Sequence, residues 1–486
     1  MRTKSAVFSL GSVARAAALA AMIAAGVPAT RAQASAVPVP QVRGPLAHPV
    51  TRGIGIWGVT QLGYIAREYL VSGRDNVYAP VSMADALSMS SRNNIRDLAI
   101  HSSYTPTLIR RDVRYTTRIV VYLPKSSAKF SGNVVVEINH PAGGGQLIVW
   151  SALSGFFTSH GDAYVAIQHP ITFGSLRAAD PARYGSLYAS DPTQLWGMVS
   201  QIGALIRSHS AENPLHGYRV RHLYLTGYSY TGVATASYAD YYHDSAKLQD
   251  GRPIFSGYLP FANSMYVRPL DVPVIRVNTQ SDFNSFDGTR NRRQDSNGGR
   301  GGRYRLYEVA GASHVNASPR IQPSATPPRS VKMRQPPGLP NFPVKKCLDS
   351  FPAGARRNNL PLNYVLEQAF LDMYRWVDDG VPPPRVPFIK TDAKGNALLA
   401  QDGNVEGGLR LPQLAVPADT YGVGKGMCFL FGYRVPFSGA KMKALYGTAR
   451  AYHTAVATAA HRDVTAGLIT PAAATAIIRQ ARHKRF

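Results

Sequence analysis

Cysteine is nearly absent from this 486-residue chain, which carries only 2, Cys347 and Cys428. That is too few for a disulfide-stapled fold, and without a histidine pair nearby they do not read as a structural zinc site. Their even number suggests one disulfide in an oxidising compartment. Acid is scarce as well. The 28 Asp+Glu stand against 54 Lys+Arg, giving a formal charge of +26 and a pI near 10.1. Such a surface attracts anionic polymers or lipid surfaces in a salt-dependent way. The basic residues are dispersed, so specific nucleic-acid reading is not expected. Past the N-terminus no apolar run is long enough to cross a bilayer. With 17% charged and 45% hydrophobic residues the composition is globular and excludes a large disordered fraction. No internal repeat is visible, and no metal or organic cofactor motif is found.

What is there begins with an N-terminal address. Arg2 and Lys4 precede the apolar run Ala16 to Ala25, and Ala32-Gln33-Ala34 is a small-x-small cleavage site. This reads as a secretory signal peptide over 1–34, and hence as a periplasmic or secreted protein. Its removal takes away Arg2, Lys4, Arg15 and Arg31, so the mature chain keeps +22 of the +26. Residues 35–110 read as an exposed leader followed by short antiparallel strands. Beyond them strands and helices alternate: Asn133 to Ile138 and Ala163 to Gln168 are strands, Leu195 to Ser208 a helix, and Leu223 to Tyr228 a strand. Val233 to Tyr242 is a helix, Val272 to Asn278 and Tyr304 to Ala310 are strands, and Leu362 to Val377 is an amphipathic helix. That alternation predicts an α/β core over 111–380, with a mostly parallel sheet covered by helices on both faces. The Pro-rich stretch 319–361 is expected to form a flap beside the site, tied down by Cys347 to Cys428, and 381–486 a C-terminal extension of short strands, turns and helices.

The chemistry centres on Gly227-Tyr-Ser-Tyr-Thr-Gly232. Small residues flank Ser229 where a strand must turn sharply into a helix, an arrangement that lifts the serine Oγ clear of the sheet at a helix N-terminus. The Tyr230 amide is then one oxyanion donor. The second is expected from the glycine-rich loop Asn139 to Gly145; Pro141 has no N–H, which leaves His140 or Ala142. Functional groups of open α/β sheets gather at the carboxyl ends of strands. This favours Asp282 as the acid, with Asp287 and Asp295 as competitors. His314 lies C-terminal to both, completing the order Ser, acid, His.

These segments are similar to a bacterial family of exported α/β-hydrolase domain-containing proteins. The resemblance runs through Gly63 to Gly73, Val134 to Asn139, Ala182 to Leu187, the Ser229 turn, Tyr307 to His314, Arg375 to Pro383, Gly407 to Pro412, and Tyr421 through Pro436-Phe437. It implies an α/β-hydrolase fold with Ser229 as nucleophile and His314 as base, and leaves the substrate open. Two positions depart from it: an acid is common in the family two residues before Asp282 and two after His314, where this chain has Gln280 and Asn316. The expected activity is serine-dependent hydrolysis of a small or polymeric carboxylic ester through an acyl-enzyme. Acyl transfer or peptide hydrolysis on the same triad, and a non-catalytic basic binding protein, are the rivals.

Overall fold

The computed structural model describes residues 36–47, 59–60, 62–78, 107–141, 145–263, 265–285, 292–315 and 344–486. The anticipated signal peptide, Ala142, Asp287, Asn316 and most of the Pro-rich flap lie outside them.

Strands that are buried on both faces need continuous apolar runs, and the sequence supplies them. The strands are β1 Gln41–Arg43, β2 Tyr64–Tyr78, β3 Leu108–Pro124, β4 Asn133–Ile138, β5 Ala163–Ile167, β6 His222–Tyr228, β7 Gly257–Phe261, β8 Val274–Thr279, β9 Ser296–Asn297 and β10 Arg303–Val309. Among the described residues they form one ten-stranded sheet in the order β1-β2-β3-β5-β4-β6-β7-β8-β10-β9. The run β5-β4-β6-β7-β8-β10 is parallel, and the strands at either end join it antiparallel. The N-terminal strands therefore extend the main sheet. They are also longer than expected, with 15 residues in β2 and 17 in β3, and the anticipated boundary at 110–111 falls inside β3.

Helices α1 Ile148–His160, α2 Leu195–Arg207, α3 Tyr230–Tyr241, α4 Gln280–Ser285, α5 Val344–Asp349 and α6 Leu362–Asp378 connect or cover these strands. Alternate side chains along β4 serve opposite faces. Val135 joins Trp150, Phe157, Phe370 and Met373 beneath α1 and α6. Val134 and Val136 join Met198, Ile202 and Tyr238 beneath α2 and α3. Helix α6 buries Leu362, Val365, Leu366, Ala369, Phe370, Met373 and Trp376, the i, i+3, i+4 stripe of an amphipathic helix. Each such large apolar side chain contributes about 1.5–3 kcal/mol on burial.

A second, antiparallel sheet in the order β11-β13-β12 joins β11 Arg356–Arg357, at the end of the stretch anticipated as a flap, to β12 Asp419–Val423 and β13 Gly432–Pro436 of the C-terminal extension. Helices α7 Gly439–Tyr446, α8 Ala449–Thr465 and α9 Pro471–Ala481 end the chain. Cys347 and Cys428 are at disulfide distance, with a Cα–Cα separation of 5.2 Å. Residues 36–486 make one compact unit. Among the described residues no helix is long and apolar enough to cross a membrane.

Candidate active site

Ser229 sits between β6 and α3 with φ 59 and ψ −123. A non-glycine residue in that region is strained by roughly 1–3 kcal/mol and persists only where its neighbours hold it. Here they do. The Ser229 N–H donates to the Phe261 carbonyl at 3.0 Å, and the Thr231 hydroxyl accepts from the Tyr228 N–H and donates to the Tyr228 carbonyl, both at 3.1 Å. The two glycines are required by contact. A Cβ on Gly227 would lie 2.2 Å from the Thr231 carbonyl oxygen, and one on Gly232 would lie 2.1 Å from that of Phe261. As the first residue of α3, Tyr230 has an N–H with no acceptor inside the helix, and it adjoins the half-buried Ser229.

Asp282 and His314 lie just past the carboxyl ends of the neighbouring parallel strands β8 and β10. Both are buried, at 2% and 5% exposure, and His314 Nδ1 is 2.5 Å from Asp282 Oδ1. An ionised carboxylate only accepts, so Nδ1 is the donor in this bond, and Nε2 is left on the far side of the ring. The other carboxylate oxygen, Oδ2, accepts from the Thr279 N–H at 2.8 Å and the Thr279 hydroxyl at 2.7 Å. The Tyr228 hydroxyl donates to the His314 carbonyl at 2.7 Å, which ties the histidine to the residue before Ser229. Asp295, a competitor for the acid position, instead accepts from the Leu306 N–H at 3.0 Å on the flank of β10. Gln280 is turned to the Gly311 N–H, which its Oε1 accepts at 2.8 Å.

The turn around His314 is clasped by the C-terminal extension. Asn358 donates its side-chain amide to the Gly311 carbonyl at 2.7 Å and its backbone N–H to the Gly432 carbonyl at 2.9 Å, while the Val315 N–H donates to Leu430 at 2.8 Å.

The loop after β4 is built differently from expectation. The His140 N–H donates to the Gln146 carbonyl at 2.7 Å and its carbonyl accepts the Gln146 N–H at 2.9 Å. That commitment takes the His140 amide out of the pair of donors anticipated in this loop. Asn139 is anchored beneath, donating to Gln168 at 3.0 Å, and Gln168 in turn accepts from Arg118 at 3.0 Å. Arg118 pairs with Glu68, both fully buried. From the other side Glu137 accepts from the Val149 N–H at 2.9 Å, the Trp150 N–H at 3.1 Å and the Tyr164 hydroxyl at 2.6 Å. It thereby caps α1, and its complete burial pushes its carboxyl up to about 7.

Two histidines flank the Tyr230 ring, with centroids at 6.0 Å for His140 and 5.3 Å for His169. Burial first, and then the neighbouring histidine (His314 for His140, His140 for His169), pushes each down to about 3, so both are neutral at ordinary pH. The Ile171 N–H donates to His169 Nδ1 at 3.2 Å, which leaves the ring proton on Nε2, a buried atom without an acceptor among the described residues. Sequence reasoning gave no role to His169, Thr279 or Tyr228, although Tyr228 lies within the Ser229 turn motif and His169 just past the end of β5. Among the described residues no group of three or more His, Cys, Asp or Glu is placed to hold a metal ion.

Solved structures that resemble the chain include a serine hydrolase without lid from Xanthomonas campestris, at 12% identity and TM-score 0.26 over 40% of this chain and 78% of that one. A butyrate-bound esterase from Thermogutta terrifontis aligns at 12% identity and TM-score 0.25, over 40% and 77%. No curated protein matches the chain. A family model described as an alpha/beta hydrolase domain matches residues 32–479, the span that holds the parallel sheet, the Ser229 turn and the clasped His314. The chain therefore belongs to the alpha/beta hydrolase domain family, and its fold is that of an α/β-hydrolase.

Proposed function

We propose that the protein is a serine-dependent carboxylic ester hydrolase. The observation that carries this reading is the buried His314–Asp282 pair, 2.5 Å apart, whose histidine carbonyl is bonded to Tyr228, the residue before the strained Ser229. His314 Nε2 takes the Ser229 proton as Oγ bonds to the ester carbonyl carbon, and Asp282 holds the ring in the required tautomer and stabilises the imidazolium. The carbonyl oxygen becomes an oxyanion, held by the Tyr230 N–H at the start of α3 and by an N–H of the 139–146 loop, for which Ala142 is now the candidate. Loss of one such donor costs about 10²–10³ in rate. The C–O bond to the alcohol then breaks, and His314 returns the proton to the leaving alkoxide. Water, deprotonated by His314, attacks the acyl-enzyme and releases the acid and the free serine.

We further propose export. The Cys347–Cys428 pair needs an oxidising compartment, which agrees with the N-terminal address. The surplus of basic residues then holds the mature chain to anionic surfaces at low salt.

The test is labelling of the mature protein with a fluorophosphonate, with the adduct mapped by mass spectrometry, beside hydrolysis of p-nitrophenyl esters. Adduct on Ser229 and loss of both label and turnover in a folded Ser229→Ala variant are expected. Full turnover in that variant would remove the assignment.

A further inference from the structure

Residues 356–359 and the C-terminal extension line an open cavity of about 280 Å³ that the proposed ester chemistry does not use. Its wall is apolar and aromatic: Tyr421 on β12, Tyr452 and Val456 on α8, and Ile477 on α9, all buried. Its polar side is cationic. Arg356, Arg434 and Lys484 line it against a single acid, Asp419. That acid is already engaged, accepting from Arg434 Nη1 at 2.7 Å.

The strand pairing leaves a place for an anion in this arrangement. Arg356 and Arg434 stand directly opposite each other on the antiparallel strands β11 and β13. Like charges in that register repel and destabilise the pairing, and the one acid beside them, Asp419, is taken by Arg434 alone. An anion between the two guanidiniums relieves that repulsion. The wall fixes the rest of the ligand, because a bare inorganic ion would leave the Tyr421, Tyr452, Val456 and Ile477 surface wet. The volume lies just under the ~300 Å³ at which ligand pockets begin, so the occupant is small.

We propose that this cavity binds a small amphiphilic organic anion, a carboxylate with an apolar tail or ring, held by Arg356, Arg434 and Lys484. The site is distinct from Ser229 and holds whether or not that serine is a nucleophile. It is connected to the His314 turn, since Arg356 lies two residues before Asn358 and Arg434 two after Gly432, the residues that clasp the turn. An occupant thus bears on both strands that hold it.

The experiment is calorimetric titration of octanoate into the full mature chain carrying Ser229→Ala, so that chemistry at Ser229 does not enter. Octanoate is expected to bind, with 1-octanol and inorganic phosphate each at least tenfold weaker. Arg356 is exposed and Lys484 half-buried, so the double variant Arg356→Gln/Lys484→Gln should fold normally. Loss of its two charged contacts should weaken octanoate by about tenfold or more. Ile477→Trp, which fills the cavity, should abolish binding. Three results would each overturn the proposal: no octanoate binding to the parent, affinity unchanged in the folded double variant, or phosphate binding as tightly as octanoate.

Discussion

Asp282→Asn tests the proposed mechanism at its most constrained point. A carboxamide has one accepting end and one donating end, so it must choose which faces Thr279 and which faces His314. The Thr279 N–H is a fixed backbone donor 2.8 Å from Oδ2 and cannot turn away, so the carboxamide oxygen stays there. The NH2 then points at His314 Nδ1, in place of the oxygen that stands 2.5 Å from it. To pair with a donor, Nδ1 must give up its proton, which moves to Nε2. A ring protonated there cannot accept from Ser229. No buried polar group loses its partner, so the fold should survive with a stability change of about 1 kcal/mol or less. Turnover should fall by roughly 10⁴, about 5.4 kcal/mol in the barrier. The assay is kcat/KM on p-nitrophenyl butyrate beside the thermal midpoint. Activity within tenfold of the parent in a folded variant would refute the role given to Asp282. Gln280→Glu is the matched control. Its acceptor is held by the Gly311 N–H at 2.8 Å and points away from the histidine, so activity should change by no more than about threefold. A hundredfold gain would move the acid role to position 280.

The remaining expectations address the scaffold. Gly232→Ala places a Cβ 2.1 Å from the Phe261 oxygen, the same oxygen that accepts the Ser229 N–H at 3.0 Å. Helix α3 must then shift off β7, at a cost of about 1–3 kcal/mol, and ester turnover should drop at least a hundredfold; parent-like values of both would contradict this account of the turn. Glu137 has its carboxyl raised from 4.5 to about 7 by burial, so the folded chain holds that proton more tightly than the unfolded chain. Its stabilisation is full below about pH 4.5 and is lost as pH rises through 7, about 3 kcal/mol in all. The thermal midpoint should therefore fall more steeply from pH 4.5 to 7.5 in the parent than in Glu137→Gln, and equal slopes would exclude this origin. A bond between Cys347 and Cys428 closes 81 residues of chain, a restraint worth about 4.5 kcal/mol on chain-entropy grounds. Reduction with dithiothreitol should lower the urea midpoint accordingly, and an unchanged midpoint would show that the pair does not restrain the unfolded chain.

Elements with a regular apolar pattern were the legible ones. Asn133 to Ile138 reads as a strand and is β4, and Leu362 to Val377 reads as an amphipathic helix and is α6. Strand β7 went unseen because Gly257 and Pro260 argue against a central strand. The proline is accommodated where the ladder to β8 is interrupted, between the pairs Tyr258↔Val274 and Phe261↔Val277. Helix α1 was passed over although Ser151, Ser154, Gly155 and Thr158 recur in it at helical spacing. Long β2 and β3 were read as short strands because Glu68 and Arg118 look like surface residues, and their burial rests on pairing with each other and with Arg183, Tyr184 and Gln168. At the site, chain order placed Ser229, Asp282 and His314 in sequence. Of the partners that hold them, Thr279 bonds Asp282 locally, three residues away, while Tyr228 and Asn358 reach the His314 turn through tertiary contacts that no local pattern announces. The bond of the His140 amide to the Gln146 carbonyl is likewise not encoded locally.

The clasp on the His314 turn also sets a timetable. A chain synthesised only as far as Asp378 already contains Ser229, Asp282 and His314, but not the Leu430 and Gly432 carbonyls, which fix Val315 and Asn358. Competence for the proposed chemistry therefore arrives late, once the last β-strands have emerged. On the proposed export and chemistry, a nascent chain still in transit would be inert toward the esters around it, and so would any product truncated after α6.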